Sequence, residues 1–248
     1  MTYTEDEVNE LKLCKEDIIY FAEKYIKINS PDNGEALIKL YPKQKDILLA
    51  WVNDTHHVTL SSRQSGISTL YAIFLLHTSL FNIDRTSVIC CNKQDNCIHM
   101  RNLVKSIYDN LSEFLQSELI TDSNNVLFFI NGSRIKFTTF KYEQLGGIGI
   151  HNLIMDNIDY VPIETFNEIV KAIVPIMSSR KSSKLIIGGT PKYSESKQLE
   201  LAKTRGWNTT TITYKDVPHQ NTSEWELPMR RLIGDDVFND EFALEYAT

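Results

Sequence analysis

The stretch from His57 to Leu80 constrains the fold more than any other part of the chain. His57 to Leu60 is short and bounded by polar residues, Ser61-Ser-Arg-Gln-Ser-Gly-Ile-Ser-Thr69 is a polar loop around one glycine, and Ile67 to Leu80 continues as a helix. A strand that feeds through such a loop into a helix points unpaired backbone N–H groups and the positive end of the helix dipole at one place, which makes an anion site. Gly66 allows close backbone approach and Ser68 offers a hydroxyl suited to Mg²⁺, as in a G-K-[ST] ending. Ile67 stands where that ending carries lysine.

Around this unit the pattern alternates between strand and helix. Ser87 to Cys91 reads as a compact strand, and Asn96 to Leu115 as a long amphipathic helix. Leu153 to Met155, ending in Asp156, and Leu185 to Ile187, ending in Gly188-Gly189-Thr190-Pro191, read as buried central strands. This is βαβ organisation with a parallel sheet, whose ligands bind at the carboxyl edge of the strands. Asn131-Gly132 between Asn125–Ile130 and Ser133–Phe140 predicts an antiparallel hairpin. Upstream, helical spacing from about Glu7 to Ile28 is broken by Ser30-Pro-Asp-Asn-Gly34, and Tyr41-Pro42 opens a second helix toward Trp51. Beyond Trp207, a strand over Thr209 to Thr213 and a helix from about Glu224 are expected. Residues 1–40 are read as a helical lead-in and 41–248 as one α/β domain.

Composition excludes several classes. The 42% hydrophobic and 23% charged residues are those of a packed globular protein. A net charge of −6 argues against a surface given over wholly to nucleic acid, so any DNA contact must be local or shared. No apolar run approaches the ~20 residues of a membrane span, and the acidic start is unlike a signal peptide; an intracellular protein without a membrane partner is expected. Cys14, Cys90, Cys91 and Cys97 have neither disulfide-framework nor zinc spacing and read as reduced, mostly buried thiols. The six histidines lack metal-ligand spacing, and the basic pairs at Arg230-Arg231 and Lys181 to Lys184 read as solvated faces.

Four elements carry chemistry. The loop over Ser62, Arg63, Gln64, Ser65, Gly66, Ile67, Ser68 and Thr69 is the first. Asp156, ending an apolar strand, is placed like the magnesium-organising carboxylate of P-loop proteins, with Ser68 as the second metal ligand. The next position, normally a glutamate that activates water, is Asn157. Thr190 follows the third core strand, where P-loop motors place a residue that senses the γ-phosphate, and Gln44 stands where a glutamine reads adenine in many helicase-like ATPases.

Together these residues resemble the ATPase domain of the large terminase subunit of tailed double-stranded DNA bacteriophages, closest to the T4-like branch. The Ser-Arg-Gln ahead of Gly66 is far more specific than a generic phosphate loop. Ile130-Asn-Gly-Ser-Arg-Ile135, Gly146-Gly147, Asp159-Tyr-Val-Pro162 and Phe242 to Tyr246 continue the match in order and spacing. The resemblance implies an ASCE or RecA-like P-loop fold with a central, mostly parallel sheet flanked by helices, and it casts Arg63 as a cis-acting arginine finger. It implies ATP and Mg²⁺ as ligands and double-stranded DNA, a portal protein and a small terminase subunit as partners. It also implies a homo-oligomeric ring on the portal, working in the host cytoplasm at the procapsid vertex.

The departures fall on catalytic positions: Ile67 for lysine, Asn157 for glutamate, and Gly146 for the family's common arginine. Weakened nucleotide binding and impaired hydrolysis are therefore expected. The family's nuclease domain would begin where these residues stop, so no nuclease activity is expected of them. A non-enzymatic terminase-like structural or regulatory protein is the alternative reading; an active helicase-type ATPase is disfavoured, because no helicase motifs follow the third element.

Overall fold

In a computed structural model that describes residues 3–30, 34–141, 145, 149–178, 182–192 and 196–245, the chain is built on one eight-stranded sheet. Its strands are β3 (His56–Ser61), β4 (Thr86–Cys91), β5 (Leu119–Asp122), β6 (Val126–Phe129), β7 (Arg134–Thr139), β8 (Asn152–Asp156), β9 (Lys184–Gly189) and β10 (Asn208–Ile212). Their order is β10-β3-β9-β8-β4-β7-β6-β5. All pairs from β10 to β7 are parallel, and β7-β6-β5 is antiparallel. Strand β9, the last of the three motif-bearing strands in sequence, thus lies between β3 and β8.

The central strands are buried on both faces, as parallel strands covered by helices must be. Along β8, Ile154 faces one core cluster while Leu153 and Met155 face the other; in β9 Ile186 and Ile187 divide the same way. The alternation also separates Cys90 from Cys91, one in each cluster, so adjacency in sequence gives them no common side. All four cysteines are free and buried.

One face is covered by α3 (Pro42–Asn53), α4 (Ile67–Leu80) and α5 (Gln94–Asp109), joined by α1 (Glu5–Glu16) and α2 (Ile18–Tyr25), whose Cys14, Ile18 and Phe21 belong to the same cluster. The other face is covered by α6 (Ile163–Ser178) and α7 (Lys197–Ala202), through Ile169, Ile173 and Leu199. A third, smaller cluster joins Tyr214 to α8 (Ser223–Ile233), α9 (Asp235–Phe238) and a π turn over Asn239–Ala243, with Trp225, Phe238 and Phe242 in mutual ring contact.

Several boundaries differ from the sequence expectation. The helix expected over Glu7 to Ile28 is two helices, because Asp17 is extended (φ −129°, ψ 104°) and caps the second by accepting from the Ile19 and Tyr20 N–H groups at 2.8 and 3.0 Å. Helix α2 then stops at Tyr25, and β1 (Lys27–Ser30) pairs with β2 (Gly34–Leu37) in a separate small hairpin. Helix α5 ends at Asp109 instead of Leu115; Leu111 and Leu115 stay buried across a short 3₁₀ turn, so the apolar spacing outlasts the helix. Edge strand β5 and helix α6 have no counterpart among the expected elements. The Asn131-Gly132 hairpin forms as expected, with Gly132 at φ 82° and the Asn131 amide donating to the Ser79 and Asn82 carbonyls.

An N-cap accepting two backbone bonds contributes about 1 kcal/mol. Asp17→Ala should lower the urea midpoint by that equivalent with an unchanged slope, whereas Asp17→Asn should restore most of it.

Candidate functional site

The register of three neighbouring strands assembles the site. Thr59 of β3 lies opposite Gly188 of β9, and Gly188 lies opposite Asp156 of β8. Their carboxyl ends therefore emerge side by side: the Ser61–Thr69 loop after β3, Gly189-Thr190 after β9, and Asp156-Asn157 after β8.

The loop turns through two left-handed residues, Gln64 (φ 58°) and Gly66 (φ 83°), before Ile67 opens α4. Alternating hands in successive residues turn backbone N–H groups toward one concavity, and the first-turn amides of α4 add theirs. Gly66 is also sterically required, since a Cβ there would sit 2.7 Å from Gln44 Nε2. Gln44 is buried; its amide donates to the Ser65 carbonyl at 2.9 Å and its oxygen accepts from the Tyr41 N–H at 3.0 Å. Beside it lies a cleft of about 150 Å³ lined by Tyr41, Gln44, Gln64, Ser65, Gly66 and Thr69. Gln44 is thus placed to line a ligand and already braces the loop.

Ser68 is exposed at the start of α4, while Ile67 is half-buried and packs against the main core cluster. Ser62 and Ser65 are buried, and neither hydroxyl has a hydrogen-bond partner among the described residues. Asp156 is buried with Oδ1 likewise unpartnered. Burial pushes its carboxyl up to about 7, opposed by a hydrogen bond from Asn157. Asn157 is left-handed (φ 58°, ψ 49°), and its N–H donates to the Gly188 carbonyl at 2.8 Å. Gly189 is required next to it, because a Cβ would meet Asn157 Oδ1 at 2.6 Å. Thr190 is buried beyond β9.

Arg63 is half-exposed and turned toward the C-terminal cluster. Its Nε donates to Glu241 at 2.6 Å and its Nη2 to the Tyr160 hydroxyl at 3.1 Å, while its backbone N–H donates to the Glu241 carbonyl at 3.0 Å. The Ser62 N–H donates to the Ile212 carbonyl at the end of β10. Lys192 lies over the Tyr160 ring at 5.3 Å. Gly146, the third departure from the family pattern, lies outside the described residues, as do Lys181 and Tyr246.

Sequence reading missed Glu241 and Tyr160 as partners of Arg63, since contacts across 178 and 97 positions leave no local signal. It also missed Tyr71, one turn beyond Ile67 and so on the same side of α4. The Tyr71 ring stacks on Trp51 at 5.1 Å and 14°, and Trp51 Nε1 donates to Thr59 Oγ1 at 3.0 Å. The Tyr71 hydroxyl is buried without a partner, and burial reinforced by Asp156 raises its ionisation far enough that it remains a donor at neutral pH.

A mostly parallel sheet with helices on both faces, and a glycine loop entering a helix at its carboxyl edge, define a P-loop ATPase-type fold. Residues 58–224 match the family model described as terminase large subunit, T4likevirus-type, N-terminal, and the chain belongs to that family. Among solved structures, a mutant of the Thermus phage P74-26 large terminase ATPase domain matches 83% of this chain and 93% of its own, with TM-score 0.67 and 16% identity. The HK97 bacteriophage large terminase matches 92% of this chain with TM-score 0.71 and 16% identity, and the large terminase of thermophilic bacteriophage D6E in complex with ADP matches 83% with TM-score 0.58 and 13% identity. This chain spans about half the length of those two, 54% and 53%.

The raised Asp156 carboxyl gives a pH dependence of definite sign. Its ordinary value is 3.8 and its folded value about 7, so between these the folded state binds more protons. Stability without nucleotide or divalent metal should therefore fall as pH rises from about 4 to 7. Asp156→Asn should flatten that slope and be more stable than the parent above pH 7 by about 2–4 kcal/mol, the gap closing toward pH 4 in urea titrations with chelator present.

Proposed function

We propose that this chain is the ATPase-derived part of a large terminase subunit in a viral DNA-packaging motor, and that it binds Mg²⁺-nucleotide weakly with hydrolysis impaired or lost. The observation that carries this reading is Ile67: the loop, Asp156 and Thr190 share one sheet edge, yet the position for the phosphate-binding lysine holds a side chain packed against the core. The backbone amides of Ser65 to Ser68 would receive the phosphates, and Gln44 and the cleft beside it would face the base. The donor set suits magnesium, since Asp156 Oδ1 is buried and unpartnered and Ser68 is open at the helix start; these two residues would hold it. Bound there, the metal would offset charge on the phosphate oxygens.

What is lost can be weighed. Removing a donor aimed at developing charge costs about 10² to 10³ in rate. Removing a general base costs roughly 10² to 10⁴, and residues acting as a unit do not add. Asn157 can donate to Asp156 but cannot accept a proton from water. Arg63 and Lys192 are the candidate cations for the phosphates, and Arg63 must leave Glu241 and Tyr160 to reach them.

Residues 1–40 are proposed as a lead-in and 41–248 as the ATPase-like domain. Duplex DNA, a portal, a small terminase subunit and a homo-oligomeric ring at the procapsid vertex, in the host cytoplasm, are partners and place proposed from family membership. Among the described residues no helix is long and apolar enough to cross a membrane.

Calorimetry with ADP or ATP and Mg²⁺ should show weak binding, and phosphate release should stay near background with or without DNA. Ile67→Lys should tighten binding about tenfold or more, since a lysine stem can retain the core contact while its ammonium reaches out. Adding Asn157→Glu should bring back turnover, against about 1 kcal/mol for placing glutamate in a left-handed conformation. Turnover by the unaltered chain that vanishes in Arg63→Ala would overturn the impaired-hydrolysis reading; absence of binding at millimolar nucleotide would overturn the nucleotide reading.

A further inference from the structure

Thr59, Gly188 and Asp156 form one row across β3, β9 and β8, and paired residues of neighbouring strands face the same side. Strand alternation fixes that side. Ile154 and Ile186, two residues before Asp156 and Gly188, both belong to the cluster beneath α3 and α4. The row therefore faces α4, and a glycine at its centre leaves a gap between the Thr59 and Asp156 side chains. Tyr71 of α4 fills the gap: a Cβ on Gly188 would lie 2.0 Å from the Tyr71 hydroxyl. Trp51 fixes the ring from behind by stacking, and is itself fixed by its bond to Thr59 in the same row.

Two buried polar groups without partners thus belong to adjoining positions at the sheet edge: the Tyr71 hydroxyl, against Gly188, and Asp156 Oδ1, on the strand paired with it. A buried hydroxyl without a bond is costly, and phenylalanine would supply the same stacking and fill nearly the same volume. We propose that Tyr71 is a positioning residue for the metal-binding carboxylate: its hydroxyl donates to Asp156 when a divalent cation and nucleotide are bound, orienting the carboxylate toward the cation. This rests on the nucleotide reading above. The Tyr71 hydroxyl lies over Gly188, the register neighbour of Asp156, so in this proposal it acts through the carboxylate and not on the phosphate or the metal. Its effect is confined to the part of binding that Mg²⁺ supplies.

The test compares the parent chain with Tyr71→Phe in two measurements. The first is ADP affinity by calorimetry, with Mg²⁺ and with chelator. The second is thermal midpoint without any ligand. Mg²⁺ should tighten ADP binding by the parent, and Tyr71→Phe should reduce that Mg²⁺-dependent gain roughly tenfold, the usual worth of a hydrogen bond to a charged group, while affinity in chelator is unchanged. The ligand-free midpoint should stay level or rise, because an unpaired buried hydroxyl has been removed. A variant with the parent's full Mg²⁺-dependent gain overturns the proposal. So does one whose ligand-free midpoint drops along with affinity in chelator, which would make Tyr71 a packing residue only. If the parent binds no ADP under either condition, the nucleotide reading itself fails and takes this proposal with it, an outcome distinct from a parent that responds to Mg²⁺ and a variant that responds equally.

Discussion

The site depends on how closely β9 passes between β3 and β8. Gly188 and Gly189 are the only residue type that fits there: one faces the Tyr71 hydroxyl and the other Asn157, each at a distance no side chain tolerates. A larger residue at either position would push Tyr71 out of α4's packing or turn Asn157 away from the sheet. The distance from the phosphate-type loop to Asp156 is thus set by two missing side chains and by the parallel register that aligns Thr59, Gly188 and Asp156. The loop follows from it: Gln44 packs on Gly66, whose left-handed φ of 83° favours glycine.

Burial then divides the residues at this edge into those that cost stability and those that fit the fold. Unpaired buried polar atoms cost about 1–3 kcal/mol each, and Ser62, Ser65, Asp156 and Tyr71 all contribute one at this edge. Ile67 and Asn157 carry no such cost: the first packs its side chain on the core, and the second suits the left-handed turn that it occupies. The unpaired polar groups at this edge cost stability, while Ile67 and Asn157 fit the fold that they occupy.

The fold was legible where one sequence signal had one physical cause. Helix α4 begins and ends at Ile67 and Leu80 as expected, because a glycine loop opens it and the apolar run is uninterrupted. β8 and β9 were legible because burial on both faces demands continuous apolar residues. Strand β5 was not, since an edge strand needs only one apolar face and Thr121 and Asp122 broke the pattern. The split at Asp17 was missed because apolar spacing runs through it, although the side chain is a capping acceptor that competes with helix continuation. At the candidate site, the strands that carry the loop and the strand-end residues were legible from their apolar runs. The partners of Arg63 were not, since Glu241 arrives through packing of the third cluster and Tyr160 from the turn after β8.

That last contact has a consequence for Arg63. With its side chain 49% exposed and that of Glu241 33% exposed, the ion pair contributes at most about 1 kcal/mol. The firmer tether is the backbone bond from the Arg63 N–H to the Glu241 carbonyl, backed by the aromatic cluster of Tyr214, Trp225, Phe238 and Phe242. The guanidinium is therefore held only weakly by its carboxylate, while the loop backbone stays docked on the C-terminal turn. The Ser62-Arg63 junction, bonded through its backbone to Ile212 and Glu241, holds the loop whichever way the guanidinium points.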